Sequence, residues 1–110
     1  MAEFVELTID QGSTFNTTIN VNDGTGAPQN LSGYSARSML RRSYYTSSYK
    51  EFEVSVSSPS LGEITMSMTA ANTANLTAGR YVYDVEIDNG EGEVTRIFEG
   101  IITVLPNVTR

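Results

Sequence analysis

Apolar and polar residues alternate with a period of two along most of the chain. The alternation runs through residues 5–9, 15–21, 52–56, 64–68 and 81–87. Because a strand places successive side chains on opposite faces, this period predicts strands that are each buried on one face. Turn-forming sequences separate the strands, among them NDGTGAP after residue 21 and DNGEGE after residue 87. The chain is therefore predicted to be all-β.

One segment, TAANTANLTAG (residues 69–79), departs from the alternation and has helix-like spacing. We interpret it as one or two helical turns that end at Gly79. About seven short strands, with this turn before the sixth, predict an immunoglobulin-like sandwich of two antiparallel sheets. A small open β-barrel is the alternative, since alternation alone does not separate the two. At 110 residues, we expect a single domain that covers residues 1–110.

The sequence LTAGRYVY sharpens the sandwich prediction. Gly79 precedes Tyr81 by two positions at the predicted start of the sixth strand, which is the pattern of a tyrosine corner. Tyr83 stands two residues later, where disulfide-linked immunoglobulin domains carry a cysteine. Both tyrosines are predicted to be core residues. In the preceding strand region we expect Tyr34, Ala36 and Leu40 to face inward, with a slip or bulge near Met39.

The composition argues against catalysis. The chain has no cysteine and no histidine, so the usual zinc ligands are missing and a general base would have to be a carboxylate or a lysine. We expect neither an enzyme nor a bound metal or other cofactor. A weak calcium site in the loop with Asp88, Glu91 and Glu93 is an alternative, although acidic hairpin loops commonly look like this. No stretch resembles a secretory signal or a membrane span, so we expect synthesis in the cytoplasm and no membrane partner.

A basic, tyrosine-rich segment contrasts with the formal net charge of -6. Four of the seven cations and four of the six tyrosines lie between residues 34 and 50, and no acid lies between Arg37 and Lys50. Without those four cations the rest of the chain would carry -10. Tyrosine and arginine are enriched at interface hot spots, so protein docking is the preferred interpretation. The predicted interface consists of Arg37, Arg41, Arg42, Tyr44, Tyr45, Tyr49 and Lys50.

Two other interpretations of the basic segment remain. Cations interleaved with aromatic residues can bind single-stranded nucleic acid, but the acidic remainder would repel a polyanion, so we expect no nucleic-acid partner. Alternatively, the tyrosines only cover the edge of the sandwich and the arginines are solvated. A docking patch of this charge would suit an acidic partner. Another copy of the chain, in a head-to-tail array, is one such partner.

Four stretches carry a resemblance to a known family: TIDQGSTFNTTINV (8–21), LSGYSARSMLRRSYYTSS (31–48), GEITMSMTAANTANLTAGRYVYDVEI (62–87) and EVTRIFEGIITVLPNVTR (93–110). Together they resemble small virion structural proteins of tailed bacteriophages, which are common in phages of marine cyanobacteria. They are also similar to the N-terminal immunoglobulin-like domain of phage baseplate upper proteins.

The resemblance implies a non-enzymatic building block of the virion, in several copies, with other virion proteins as partners. It leaves open whether the protein decorates the head or belongs to the tail or baseplate. A surface module that recognises a host glycan or receptor is the alternative function, since immunoglobulin-like domains often do this. That alternative predicts exposed aromatic residues on loops at one end of the sandwich.

Overall fold

A computed structural model describes residues 3–23, 25–43 and 45–108. Strands dominate these residues, and helix is confined to one α-helix and one 3-10 turn at Pro59–Leu61. In chain order the elements are β1 (Glu3–Phe4), β2 (Leu7–Asp10), β3 (Phe15–Asn20), β4 (Ser35–Arg41), β5 (Lys50–Glu51), β6 (Glu53–Ser58), β7 (Glu63–Met68), α1 (Ala70–Ala74), β8 (Gly79–Asp88) and β9 (Val94–Leu105).

Two separate sheets form the fold. The large sheet has the order β1-β9-β8-β4-β5, with β2 also paired to β9, and the small sheet has the order β3-β7-β6. Seven of the described strands are at least four residues long, and α1 precedes the sixth of them, β8. The predicted immunoglobulin-like β-sandwich, with its short helix before the sixth strand, is confirmed.

The core lies between the two sheets and comes from the alternation seen in the sequence. Inward positions of β7, β8 and β9 are buried, whereas the residues between them are half-buried or exposed. Removing apolar surface from water stabilises the fold by about 25 cal/mol per Å², so this burial is the main stabilising contribution. The buried apolar residues are Ile9, Val21, Leu31, Leu40, Phe52, Ile64, Met66, Met68, Leu76, Tyr81, Tyr83, Val85, Ile87, Phe98, Ile102 and Val104.

Tyr81 forms the predicted tyrosine corner. Its side chain is buried, and its hydroxyl donates a 2.8 Å hydrogen bond to the carbonyl of Thr77, four residues upstream. α1 begins just before, where the Thr69 hydroxyl caps the helix by accepting from the amide of Asn72. The corner therefore fixes how the chain enters β8 after the helix.

Tyr83 is a core residue, as predicted, and it also ties the amino-terminal strands to the large sheet. Its hydroxyl donates to the carbonyl of Val5 at 2.8 Å, and the amide of Val5 donates to the carbonyl of Glu99 at 2.9 Å. Gly100 lies opposite Tyr83 in β9, and a Cβ there would come within 2.0 Å of the Val5 carbonyl oxygen. Burial raises the pKa of Tyr83 to about 12, so the hydroxyl remains a donor at neutral pH.

The predicted slip near Met39 is wrong. β4 pairs with β8 in one unbroken register from Ser35 to Arg41. The inward residue between Ala36 and Leu40 is Ser38, which is buried and donates to the carbonyl of Asp84 at 2.5 Å. A satisfied buried hydroxyl therefore takes the place of an apolar side chain, and this interrupted the apolar pattern without interrupting the strand.

The first two strands pair in a way that the alternation did not predict. Both β1 and β2 run parallel to β9, with Leu7 opposite Ile102 and Asp10 opposite Leu105. The other strand pairs are antiparallel. The sandwich is thus antiparallel except along this one edge, where the beginning of the chain lies against its last strand.

Candidate functional site

A basic groove lies at the end of the sandwich where β4 ends and β8 begins. The loop between β4 and β5 forms one wall, and residues 75–77 after α1 form the other. The groove has a volume of about 490 Å³. No carboxylate is among the described residues that line it, and its charged and aromatic lining consists of Arg41, Arg42, Tyr49, Lys50 and Tyr81. These five residues give the site one sign of charge and two aromatic faces.

Arg41 organises the loop that follows it. One guanidinium nitrogen, Nη1, donates to the carbonyls of Thr46 and Ser47 at 2.7 and 3.2 Å. The same guanidinium lies over the ring of Tyr49, 5.0 Å from its centroid. Because backbone carbonyls and a cation–π contact hold it from two sides, this side chain is fixed rather than freely solvated.

Arg42 crosses to the opposite wall of the groove. Its Nη1 lies 3.4 Å from the carbonyl of Ala78, and its guanidinium lies 5.1 Å from the ring centroid of Tyr81. Gly79 makes room for this contact, since a Cβ there would come within 2.7 Å of Nη1. The tyrosine corner thus has a second role: its ring is the surface on which Arg42 rests.

The other predicted interface residues on this loop are exposed. Tyr45 is 97 % exposed and Tyr49 is 48 % exposed. Lys50 is exposed at the start of β5, opposite Leu40. Tyr44, which the sequence placed in the same interface, lies outside the described residues. The loop therefore presents an exposed aromatic side chain at its tip and a half-exposed one against Arg41.

Arg37 does not join the groove, contrary to the grouping made from the sequence. It lies on the outer face of the large sheet, where its Nε contacts Glu86 at 3.0 Å. A second ion pair on this face joins Arg96 to Asp84 at 3.3 Å. Burial, followed by the nearby charge of Glu86, raises the pKa of Asp84. These paired charges neutralise each other, so this face lacks the single sign of the groove.

The opposite end of the sandwich is acidic. The loops before β4 and after β8 meet there, with Gly90 close to the backbone of Gly33. Their carboxylates are committed to their own turns: Asp23 accepts from the amide of Thr25 and Asp88 from that of Gly90, each at 2.8 Å. Hydrogen bonds from Thr25 lower the pKa of Asp23. The acids at this end are Asp23, Asp88, Glu91 and Glu93.

The calcium alternative finds no further support in this geometry. Among residues 3–23, 25–43 and 45–108, no group of three acidic side chains is arranged to hold a metal ion. The amides of Glu91 and Glu93 donate to the side chain of Asn89, which accounts for the shape of the loop. No helix in the described part of the chain is long and apolar enough to cross a membrane.

Sequence reasoning identified one wall of the groove and missed the other. The loop residues stood out by composition. Thr77 and Ala78 carry no charge, and they contribute through their backbone carbonyls, which accept hydrogen bonds from Tyr81 and Arg42. Tyr81 was recognised as a core residue but not as a partner for Arg42. Its position in the corner motif, next to a glycine that leaves space for a guanidinium, is the signal that could have revealed this role.

Comparisons with known proteins add no argument to the fold described above. No protein-family model matches the chain, and no curated protein matches it. Among solved structures the chain is similar to one described as Tim-1, with 14% sequence identity and a TM-score of 0.41. The match covers 100% of this chain and 99% of that one. The assignment of the fold rests on the strand order and pairing given above.

Proposed function

We propose that the protein is a non-enzymatic structural subunit of a tailed-phage virion that docks on its neighbours through the basic groove. The sequence resemblance supports the virion setting, on either the head or the tail and baseplate. The docking role rests chiefly on one observation: the guanidiniums of Arg41 and Arg42 are held in place on tyrosine rings at the mouth of one groove. The same setting makes the virion its final location, after synthesis in the host cytoplasm.

Fixed arginines suit docking for an energetic reason. Immobilising a long side chain on binding costs about 0.5–1.5 kcal/mol of conformational entropy. The two arginines are already held in place in the free protein, so they lose less entropy when a partner binds. Each guanidinium carries five N–H donors, and the intramolecular hydrogen bonds use one nitrogen of each. The remaining edges can bind carboxylates of a partner in the two-pronged manner that guanidinium geometry favours.

The partner is accordingly an acidic loop or strand end of a neighbouring subunit. Tyr45, at the tip of the loop, would supply the apolar contact, and Lys50 a further positive charge. A second copy of this chain is one source of such a loop, because its opposite end carries four acids. Association of this kind should weaken as salt is added, since charge steers it.

The test changes two exposed residues, Tyr45 on the loop beside the groove and Lys50 in its lining. Neither makes a described side-chain hydrogen bond or ion pair within the protein. In phage that carry the double change Tyr45→Ser and Lys50→Gln, we expect incorporation into purified virions to fall at least about tenfold, which corresponds to about 1.4 kcal/mol. Arg37→Gln is the matched control, because it removes a cation from the other surface. Quantitative mass spectrometry of the particles gives the readout.

Three results would contradict the proposal. Absence of the wild-type protein from purified virions would refute the virion role itself. Equal incorporation of the double variant and Arg37→Gln would refute docking through the groove. A structure of the particle by electron cryomicroscopy in which residues 41–50 face solvent would do the same.

Recognition of a host glycan is a second candidate, favoured by the exposure of Tyr45 and Tyr49 on one loop. Aromatic rings that stand free of the surface can stack on sugar rings. This function predicts binding to a glycan array that Tyr45→Ser abolishes. It also predicts a groove that stays accessible on the assembled particle, which separates it from docking.

A further inference from the structure

β3 differs from the other strands at the edges of the two sheets. β1 and β2 are interrupted between Phe4 and Leu7, and β5 has only two residues, both charged. β6 begins at Glu53, shifts register near its end and runs into Pro59. These are the usual devices that prevent an edge from pairing with another chain. β3, with the sequence FNTTIN, has six residues and no charge, proline or register shift.

The backbone of β3 leaves a regular row of groups at this edge. The amide of Val21 donates to the carbonyl of Gly62, so Val21 faces the neighbouring strand β7. In an antiparallel ladder such positions alternate. Thr17 and Ile19 therefore also direct their backbone groups to β7, and Asn16, Thr18 and Asn20 direct theirs outward. A strand placed alongside would find three residues whose N–H and C=O groups point toward it.

The two faces of β3 are suited to such a neighbour. Phe15, Thr17 and Ile19 are half-buried on the inner face, where Phe15 contacts the ring of Phe52 with 5.6 Å between centroids. The side chains of the residues between them are exposed on the outer face. A further strand would complete the cover over Phe15 and Ile19, both of which already pack against the core.

We propose that β3 pairs with β3 of a second copy of this chain, antiparallel and about a two-fold axis at Thr18. An axis perpendicular to the sheet keeps inner faces together, and the hydrogen-bonding positions then match: Thr18 lies opposite Thr18, and Asn16 opposite Asn20. On the inner face Thr17 lies opposite Ile19. The two small sheets would become one continuous sheet of six strands.

The strand's own sequence is the reason to choose a second copy as the occupant. Threonine pairs across strands are favourable, and a strand with no charge meets its copy without local repulsion. The register also brings an apolar residue or a threonine opposite each inner residue of β3. This pairing does not depend on the basic groove, which lies on other elements of the fold.

The experiment compares three forms of the full chain: wild type, Thr18→Lys and Ser55→Lys. Thr18→Lys places two like charges opposite each other on the axis, whereas Ser55→Lys adds the same charge to an exposed position of β6, the other edge of the small sheet. Sedimentation equilibrium from about 1 µM to about 1 mM in moderate salt measures the dimer dissociation constant. Thermal unfolding of each variant confirms that both remain folded.

We expect wild type and Ser55→Lys to form the same dimer, and Thr18→Lys to weaken it at least about tenfold. Added salt should strengthen this dimer by screening the net charge of -6 on each copy, whereas it should weaken association through the groove. A wild type that stays monomeric throughout, or variants that dimerise equally well, would overturn the proposal. So would a dimer that salt dissociates.

Discussion

Gly100→Ala should destabilise the fold by removing the attachment of the amino-terminal strands. Gly100 does not require a positive φ, so the effect is steric. The new methyl group would come within 2.0 Å of the carbonyl oxygen of Val5, which belongs to the backbone and cannot rotate away as a side chain would. The segment around Val5 must therefore move off β9, and its hydrogen bonds to Glu99 and Tyr83 are lost with it.

The magnitude follows from those two hydrogen bonds. Each contributes about 1 kcal/mol net, and the buried hydroxyl of Tyr83, left without a partner, costs about 1–3 kcal/mol. Alanine in a strand regains about 0.5–1 kcal/mol over glycine. The expected loss is thus about 2–4.5 kcal/mol out of a typical total of about 5–15 kcal/mol. For a domain of this size, that lowers the melting temperature by about 8–20 °C.

A double-mutant cycle separates this mechanism from general damage. Tyr83→Phe alone should cost about 1 kcal/mol in urea unfolding followed by circular dichroism, because it removes the bond to Val5. In the Gly100→Ala background the same change should cost nothing or be slightly stabilising, since the bond is already broken. Additive effects, within about 0.3 kcal/mol, would show that Gly100→Ala leaves the bond from Tyr83 to Val5 intact and would contradict this mechanism. Tyr49→Phe, at a half-exposed ring, is the control and should change stability by less than about 0.5 kcal/mol.

Two further predictions concern β8. Tyr81→Phe should lower the free energy of unfolding by about 1–2 kcal/mol, because the corner bond to Thr77 is lost while the ring that supports Arg42 remains; unchanged urea unfolding would contradict it. Burial raises the pKa of Asp84 above its ordinary value of 3.8, so its contribution to stability is complete below that pH and is lost as pH rises through the folded pKa. Asp84→Asn keeps an acceptor for Arg96 but removes the charge. The change in melting temperature that it causes should therefore be more positive at pH 7 than at pH 3, and an equal change at both pH values would contradict this.

The strands were predictable because burial on one face leaves a direct trace in the sequence. Phe52, Ile64 and Met66 alternate with polar neighbours, and each is buried. Ser38 left no such trace, since a buried hydroxyl that bonds to a neighbouring carbonyl looks like an exposed polar residue in the sequence. That one position suggested a slip in a strand that is regular.

The candidate site was predictable only in part for a similar reason. Composition identified the basic loop, and Arg41 and Tyr49 do contact each other there. Arg37 was grouped with them by proximity in the sequence, but it lies further back along β4, where its side chain reaches Glu86 rather than the loop. The contact of Arg42 with Tyr81 joins residues far apart in the chain, and no local pattern encodes it.

The parallel pairing of β2 with β9 has a consequence for how the protein is made. Leu7 lies opposite Ile102, so β2 lacks this partner until β9, much later in the sequence, has left the ribosome. The same last strand pairs with β8 along ten residues of β8. Closing loops of this length before any contact is gained slows folding, and all-β domains with such topology commonly fold in milliseconds to seconds. Folding should therefore wait until β9 has left the ribosome and be completed in one step that begins with its arrival.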